Sequence, residues 1–104
     1  MPRKQARERR RQRRFPVTFE LRVKELLQFG TQKRAGAIFR AKAQNISTYG
    51  LGVVTNRRVE ISSPLRCEII TGELPVPIPV MAQVRWVERN SSRKGYQVGL
   101  EFLV

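Results

Sequence analysis

The 104-residue chain contains no histidine, no aspartate and one cysteine, Cys67. A disulfide framework has no second thiol, and neither a His/Cys metal site nor a nucleophile–base pair can be assembled within one chain. The acidic residues are eight glutamates scattered singly. No glycine-rich phosphate loop of the Walker type is present. Together these absences point away from catalysis and towards a binding module, with no metal and no cofactor. Long apolar runs are also missing, so neither a signal-peptide core nor a spanning helix is expected. With a lone cysteine, a reducing, cytoplasmic setting without membrane insertion is the expectation.

What the chain has in excess is positive charge. The formal net charge is +13, and residues 1–14 alone hold eight cations against one Glu. Seven of those eight are arginines, whose planar guanidinium forks pair with phosphate or a guanine edge in ways that a lysine ammonium cannot. The segment has no apolar periodicity and repels itself, so it reads as a flexible basic arm over residues 1–14. A folded domain over residues 15–104 follows, short enough for one modest core.

That domain reads as all-β. Val17, Phe19, Leu21 and Val23 alternate with polar neighbours, as in a half-buried strand. Ala37 to Ala43 repeats the pattern, Leu51 to Val54 is short and apolar, and Leu65, Cys67 and Ile69 alternate with Arg66 and Glu68. Val80, Ala82, Val84 and Trp86 supply the inner face of a fifth strand, and Tyr96, Val98, Leu100 and Phe102 that of a sixth. The proline-rich run from Leu74 to Pro79 cannot donate a full ladder and is placed at an edge or in a connection. Six short strands separated by turns predict a small six-stranded antiparallel barrel with little or no C-terminal helix. Trp86, Tyr96 and Phe102 are expected to pack on the core, as is Cys67.

Two segments carry chemistry. The first is the arginine cluster Arg9-Arg10-Arg11-Gln12-Arg13-Arg14, which runs directly into Phe15. The second is Asn45-Ile46-Ser47-Thr48-Tyr49-Gly50, where pairing is expected to break. There Asn and Ser side chains can satisfy turn backbone groups, and Gly50 tolerates a positive φ. Taken alone, each is an ordinary feature: a nucleic-acid-binding arm, and a well-made turn.

Together they resemble the PilZ domain, a bacterial receptor module for cyclic di-GMP. The family's Arg-x-x-x-Arg motif is matched by Arg10 and Arg14, with an extra arginine at Arg9. Its Asp/Asn-x-Ser-x-x-Gly motif is matched by Asn45, Ser47 and Gly50. The segments Ala82 to Val87 and Gly95 to Phe102 resemble the family's last two strands in order and spacing. Arg7, Arg9 and Arg13 offer competing pairs at the same spacing; Arg10 and Arg14 are preferred because Phe15 follows directly. The chain departs from the family in ending without the usual C-terminal helix, and in carrying Asn45 where Asp is commoner.

The resemblance implies cyclic di-GMP as ligand, with Arg9, Arg10, Arg14, Asn45, Ser47 and Gly50 as ligand-binding residues. It also implies second-messenger signal transduction through an unidentified protein target in motility, exopolysaccharide synthesis or related behaviour. One alternative is a nucleic-acid-binding barrel, in which Arg3, Lys4 and Arg7 weigh as much as Arg14. The other is a PilZ-like protein-interaction adaptor without ligand binding.

Overall fold

The computed structural model describes residues 13–26, 37–90 and 94–103. Within them the six expected strands form: β1 (Phe15–Glu25), β2 (Ile38–Ile46), β3 (Gly50–Thr55), β4 (Pro64–Ile70), β5 (Ile78–Arg89) and β6 (Tyr96–Phe102). Every neighbouring pair is antiparallel. The order β1-β2-β3-β6-β5-β4 returns to β1, so the sheet is a closed barrel. Closure gives each strand two partners and leaves no edge to protect. The proline-rich run accordingly divides between the connection after β4 and the start of β5, where Pro79 faces Glu68.

Alternation fills the interior as the sequence pattern requires. Leu21 and Val23, Leu51 and Val53, Leu65 and Cys67, and Val98 and Leu100 are all buried. Ala41, Ala43 and Ala82 are buried beside them, small enough to fit where larger side chains crowd a narrow barrel. Val59, from the connection between β3 and β4, adds a further buried side chain to this core. Thr55 is buried and polar; its hydroxyl donates to the Arg40 carbonyl at 3.0 Å and accepts from the Arg57 N–H at 3.3 Å. Tyr96 and Phe102 pack against the core as expected.

Two expectations fail for one reason, the β-bulge. By alternation with Ala82 and Val84, Trp86 belongs on the inner face. The pairing instead steps from Val84–Leu100 to Trp86–Gly99, leaving Arg85 as an extra residue. A bulge of this kind inverts the alternation that follows it. Trp86 therefore stands on the outer face, 38% exposed, while Val87 packs inward. The same happens on β2, where the register shifts between Ala43 and Asn45. Asn45 does not break the pairing; it pairs with Gly52 and is turned outward, and Ile46 packs inward.

Candidate ligand-binding site

The two bulges act on one row of the barrel. Through successive pairings Pro16 lies beside Asn45, Asn45 beside Gly52, Gly52 beside Gly99, and Gly99 beside Trp86. A methyl group on Gly52 would meet the Asn45 carboxamide at 2.8 Å, and one on Gly99 would overlap the Trp86 indole. Asn45 and Trp86 thus lean over two adjacent glycines from opposite sides. At the usual strand spacing the row from β2 to β5 measures about 14 Å. This outer row, the trough, has the Asn45 carboxamide and the Trp86 indole lying over its two glycines.

The turn from β2 to β3 follows directly on Asn45 and Ile46. Ser47 Oγ accepts the N–H groups of Tyr49 at 3.1 Å and Gly50 at 3.3 Å, and the Ser47 N–H donates to the Gly50 carbonyl at 2.9 Å. With both acceptances used by the turn, the hydroxyl hydrogen remains available to donate outward. Gly50 is needed for a different reason from the one expected. Its φ is not positive; among the described residues the positive values fall at Ser62 and Gly95. It sits instead against the Leu100 carbonyl, which any side chain would strike.

Arg14 enters at the same corner. Phe15 pairs with Ile46 and Pro16 with Asn45, so the chain one residue earlier runs level with Ser47. Arg14 is exposed. Four other arginines hold glutamates at 3.0–3.3 Å (Arg22–Glu68, Arg40–Glu20, Arg57–Glu25 and Arg85–Glu101), and no glutamate among the described residues pairs with Arg14. The Arg85–Glu101 pair matters locally, because Glu101 faces Gly50 and Arg85 offsets its charge. Arg9 and Arg10 lie outside the described residues.

Cys67 is fully buried, and burial pushes its thiol up to about 11. Such a group is not a nucleophile at neutral pH. A concavity of about 280 Å³ lies on the same outer face and is lined by Arg40, Lys42, Asn56, Lys94 and Tyr96 among others. No motif residue lines it. The described motif residues, Arg14, Asn45, Ser47 and Gly50, are neighbours at the β2 end of the trough.

The model of the PilZ domain family matches residues 8–104. This chain belongs to the PilZ domain family. A comparison with curated sequences gives no significant match. Among solved structures, the chain is similar to the PilZ domain of YcgR from Escherichia coli with c-di-GMP. The TM-score is 0.66 and the identity 14%, over 91% of this chain and 78% of that one. It is also similar to the Bacillus subtilis inhibitor of motility MotI/DgrA, with a TM-score of 0.63 and 18% identity over 89% of this chain. This PilZ chain spans 42% of the length of the Bacillus protein. Sequence reasoning reached Asn45, Ser47 and Gly50 but missed Gly52, Gly99 and the outward Trp86. Glycines inside two strands were the available signal, since such glycines mark places where something approaches the backbone closely.

Proposed function

We propose that this PilZ chain is a receptor for cyclic di-GMP that signals by changing its contacts with another protein. The observation that carries the proposal is that Arg14, Asn45, Ser47 and Gly50 are neighbours at one end of the outer row on which Trp86 lies over Gly99. The glycines seat the carboxamide and the indole against the backbone, and the exposed face of an indole is a surface on which a base stacks.

In this proposal Arg14 and Arg10, with Arg9 beside them, grip phosphates and the guanine O6/N7 edge through bidentate forks. Asn45 accepts from the Watson–Crick edge of a guanine, and the Ser47 hydroxyl donates to a phosphate oxygen. Gly52 and Gly99 let the Asn45 carboxamide and the Trp86 indole lie against the backbone, and Gly50 lets the turn pack on the Leu100 carbonyl. Residues 1–14 become ordered on the ligand. That ordering costs conformational entropy, which several charge-assisted hydrogen bonds offset. The readout is an altered surface in the cytoplasm, with no catalytic step.

Trp86 is the single tryptophan of the chain, so its emission reports on the trough alone. Titration with cyclic di-GMP is expected to change that emission saturably at micromolar concentration or below, with GTP and cyclic di-AMP far weaker. An unchanged emission, together with no heat of binding, overturns the proposal.

A further inference from the structure

The two ends of the barrel differ. At one end the connection from β3 to β4 sends Val59 into the core, where it is 4% exposed. At the other end meet the starts of β1, β3 and β5 and the finishes of β2, β4 and β6, as the antiparallel order dictates. There the core is covered by partly buried side chains of the strand ends, among them Val17, Ile46 and Phe102. Of the ten large apolar side chains that are exposed among the described residues, six lie at this end: Phe15, Tyr49, Leu74, Val76, Ile78 and Leu103, each 39–66% exposed. An apolar cluster of that kind on a small domain marks an interaction surface.

The occupant is constrained by charge and composition. Residues 1–12 hold only Met1, Pro2 and Ala6 as apolar residues, so that segment has little to insert among aromatic and aliphatic side chains. A second copy brings another +13 to an end already flanked by Arg13 and Arg14. Like-charge juxtaposition of that size opposes self-association, whereas acidic groups are drawn to it. We infer that this barrel end is a docking surface for an acidic segment of another protein, presenting an apolar face such as that of an amphipathic helix.

The surface is also joined to the trough. Phe15 follows Arg14 directly, and Tyr49 lies inside the Asn45–Gly50 turn, its N–H held by Ser47 and its carbonyl by the Phe102 N–H at 2.8 Å. A ligand that fixes Arg14 and Ser47 fixes Phe15 and Tyr49 with them. Docking and ligand binding are then thermodynamically coupled, each changing the other's affinity by the same factor. This coupling, unlike the surface, rests on the cyclic di-GMP proposal.

The test uses the whole chain, isotope-labelled for NMR, with a designed helical peptide bearing Leu on one face and Glu on the other. A matched peptide bearing Lys for Glu serves as control, and both are titrated with and without cyclic di-GMP. The Glu peptide is expected to shift the amides of Phe15, Tyr49, Val76 and Leu103 saturably, and the Lys peptide to bind at least about tenfold more weakly. The double variant Leu74→Ser, Val76→Ser, whose side chains are exposed in a connection, is expected to lose at least about tenfold in peptide affinity while keeping its melting temperature and its ligand affinity. Equal binding of both peptides, shifts confined to the Trp86 row, no saturable shift below millimolar, or a dimer of the chain through these residues would overturn the inference. Peptide binding without any response to cyclic di-GMP would count against the receptor proposal and its coupling, leaving the surface intact.

Discussion

Glycine 99 is specified by the ring above it. The Trp86 indole occupies the space that any side chain there would need. Gly99→Ala is therefore expected to push the indole off the trough, shift its emission to that of a solvated tryptophan and weaken cyclic di-GMP binding by about tenfold. Gly50→Ala meets a backbone carbonyl, which cannot move aside as a side chain can, so the cost falls on folding: about 3 kcal/mol, read as a lowered midpoint in denaturant. The charges beside the trough predict opposite signs. Arg85→Ala leaves Glu101 unpaired next to Gly50 and is expected to weaken binding of the dinucleotide severalfold, whereas Glu101→Gln is expected to strengthen it. Asn45→Asp restores a carboxylate that accepts two guanine donors at once and is expected to tighten binding. Cys67 adds a pH effect. Its folded pKa of about 11 lies above the ordinary 9.0, so its stabilising contribution is complete below pH 9 and is lost as pH rises from 9 to about 11. The expected loss by pH 11 is about 2–3 kcal/mol, and unfolding curves of Cys67→Ala should lack that component.

At the scale of elements, the bulges on β2 and β5 place Asn45 and Trp86 on the proposed site. Without them Asn45 would follow Ala41 and Ala43 into the core, and Trp86 would follow Ala82 and Val84. With them both residues reach the outer face on one row. Deletion of Arg85 removes the extra residue from β5 and should return Trp86 to the inner phase, where no space awaits an indole. The expected outcome is a changed near-ultraviolet dichroism, a lower melting temperature and loss of ligand binding. The strands themselves were legible in the sequence, because alternation over Val17–Val23 or Tyr96–Phe102 is a direct consequence of one buried face. The nearness of Asn45, Ser47 and Gly50 was legible because their spacing is local. The placement of Trp86 was not, since a bulge inserts one residue without a distinctive composition and alternation alone then assigns the wrong face. The reason for Gly50 was also hidden: its neighbour is Leu100, fifty residues away, through a β3–β6 pairing that the chain order does not announce.

At the scale of the whole molecule, a charge of +13 attracts any polyanion, and the central question is whether recognition is shaped or merely electrostatic. Salt separates the two. A ligand with two phosphates releases few counterions, so raising salt from about 50 to 200 mM should weaken cyclic di-GMP binding by about tenfold or less, whereas an arm lying along a nucleic acid would lose about a thousandfold or more. Shaped recognition also concentrates the energy in Arg14 and Asn45, leaving Arg3, Lys4 and Arg7 with little. The most direct test is calorimetric titration of the wild-type chain and of Arg14→Ala and Asn45→Ala with cyclic di-GMP, alongside a short RNA, at near-physiological salt. Saturable binding of the dinucleotide at micromolar concentration or below, weakened at least about tenfold in each variant with melting temperatures unchanged, is the predicted result. Wild-type affinity in both variants, or binding of RNA with no preference for the dinucleotide, would contradict it.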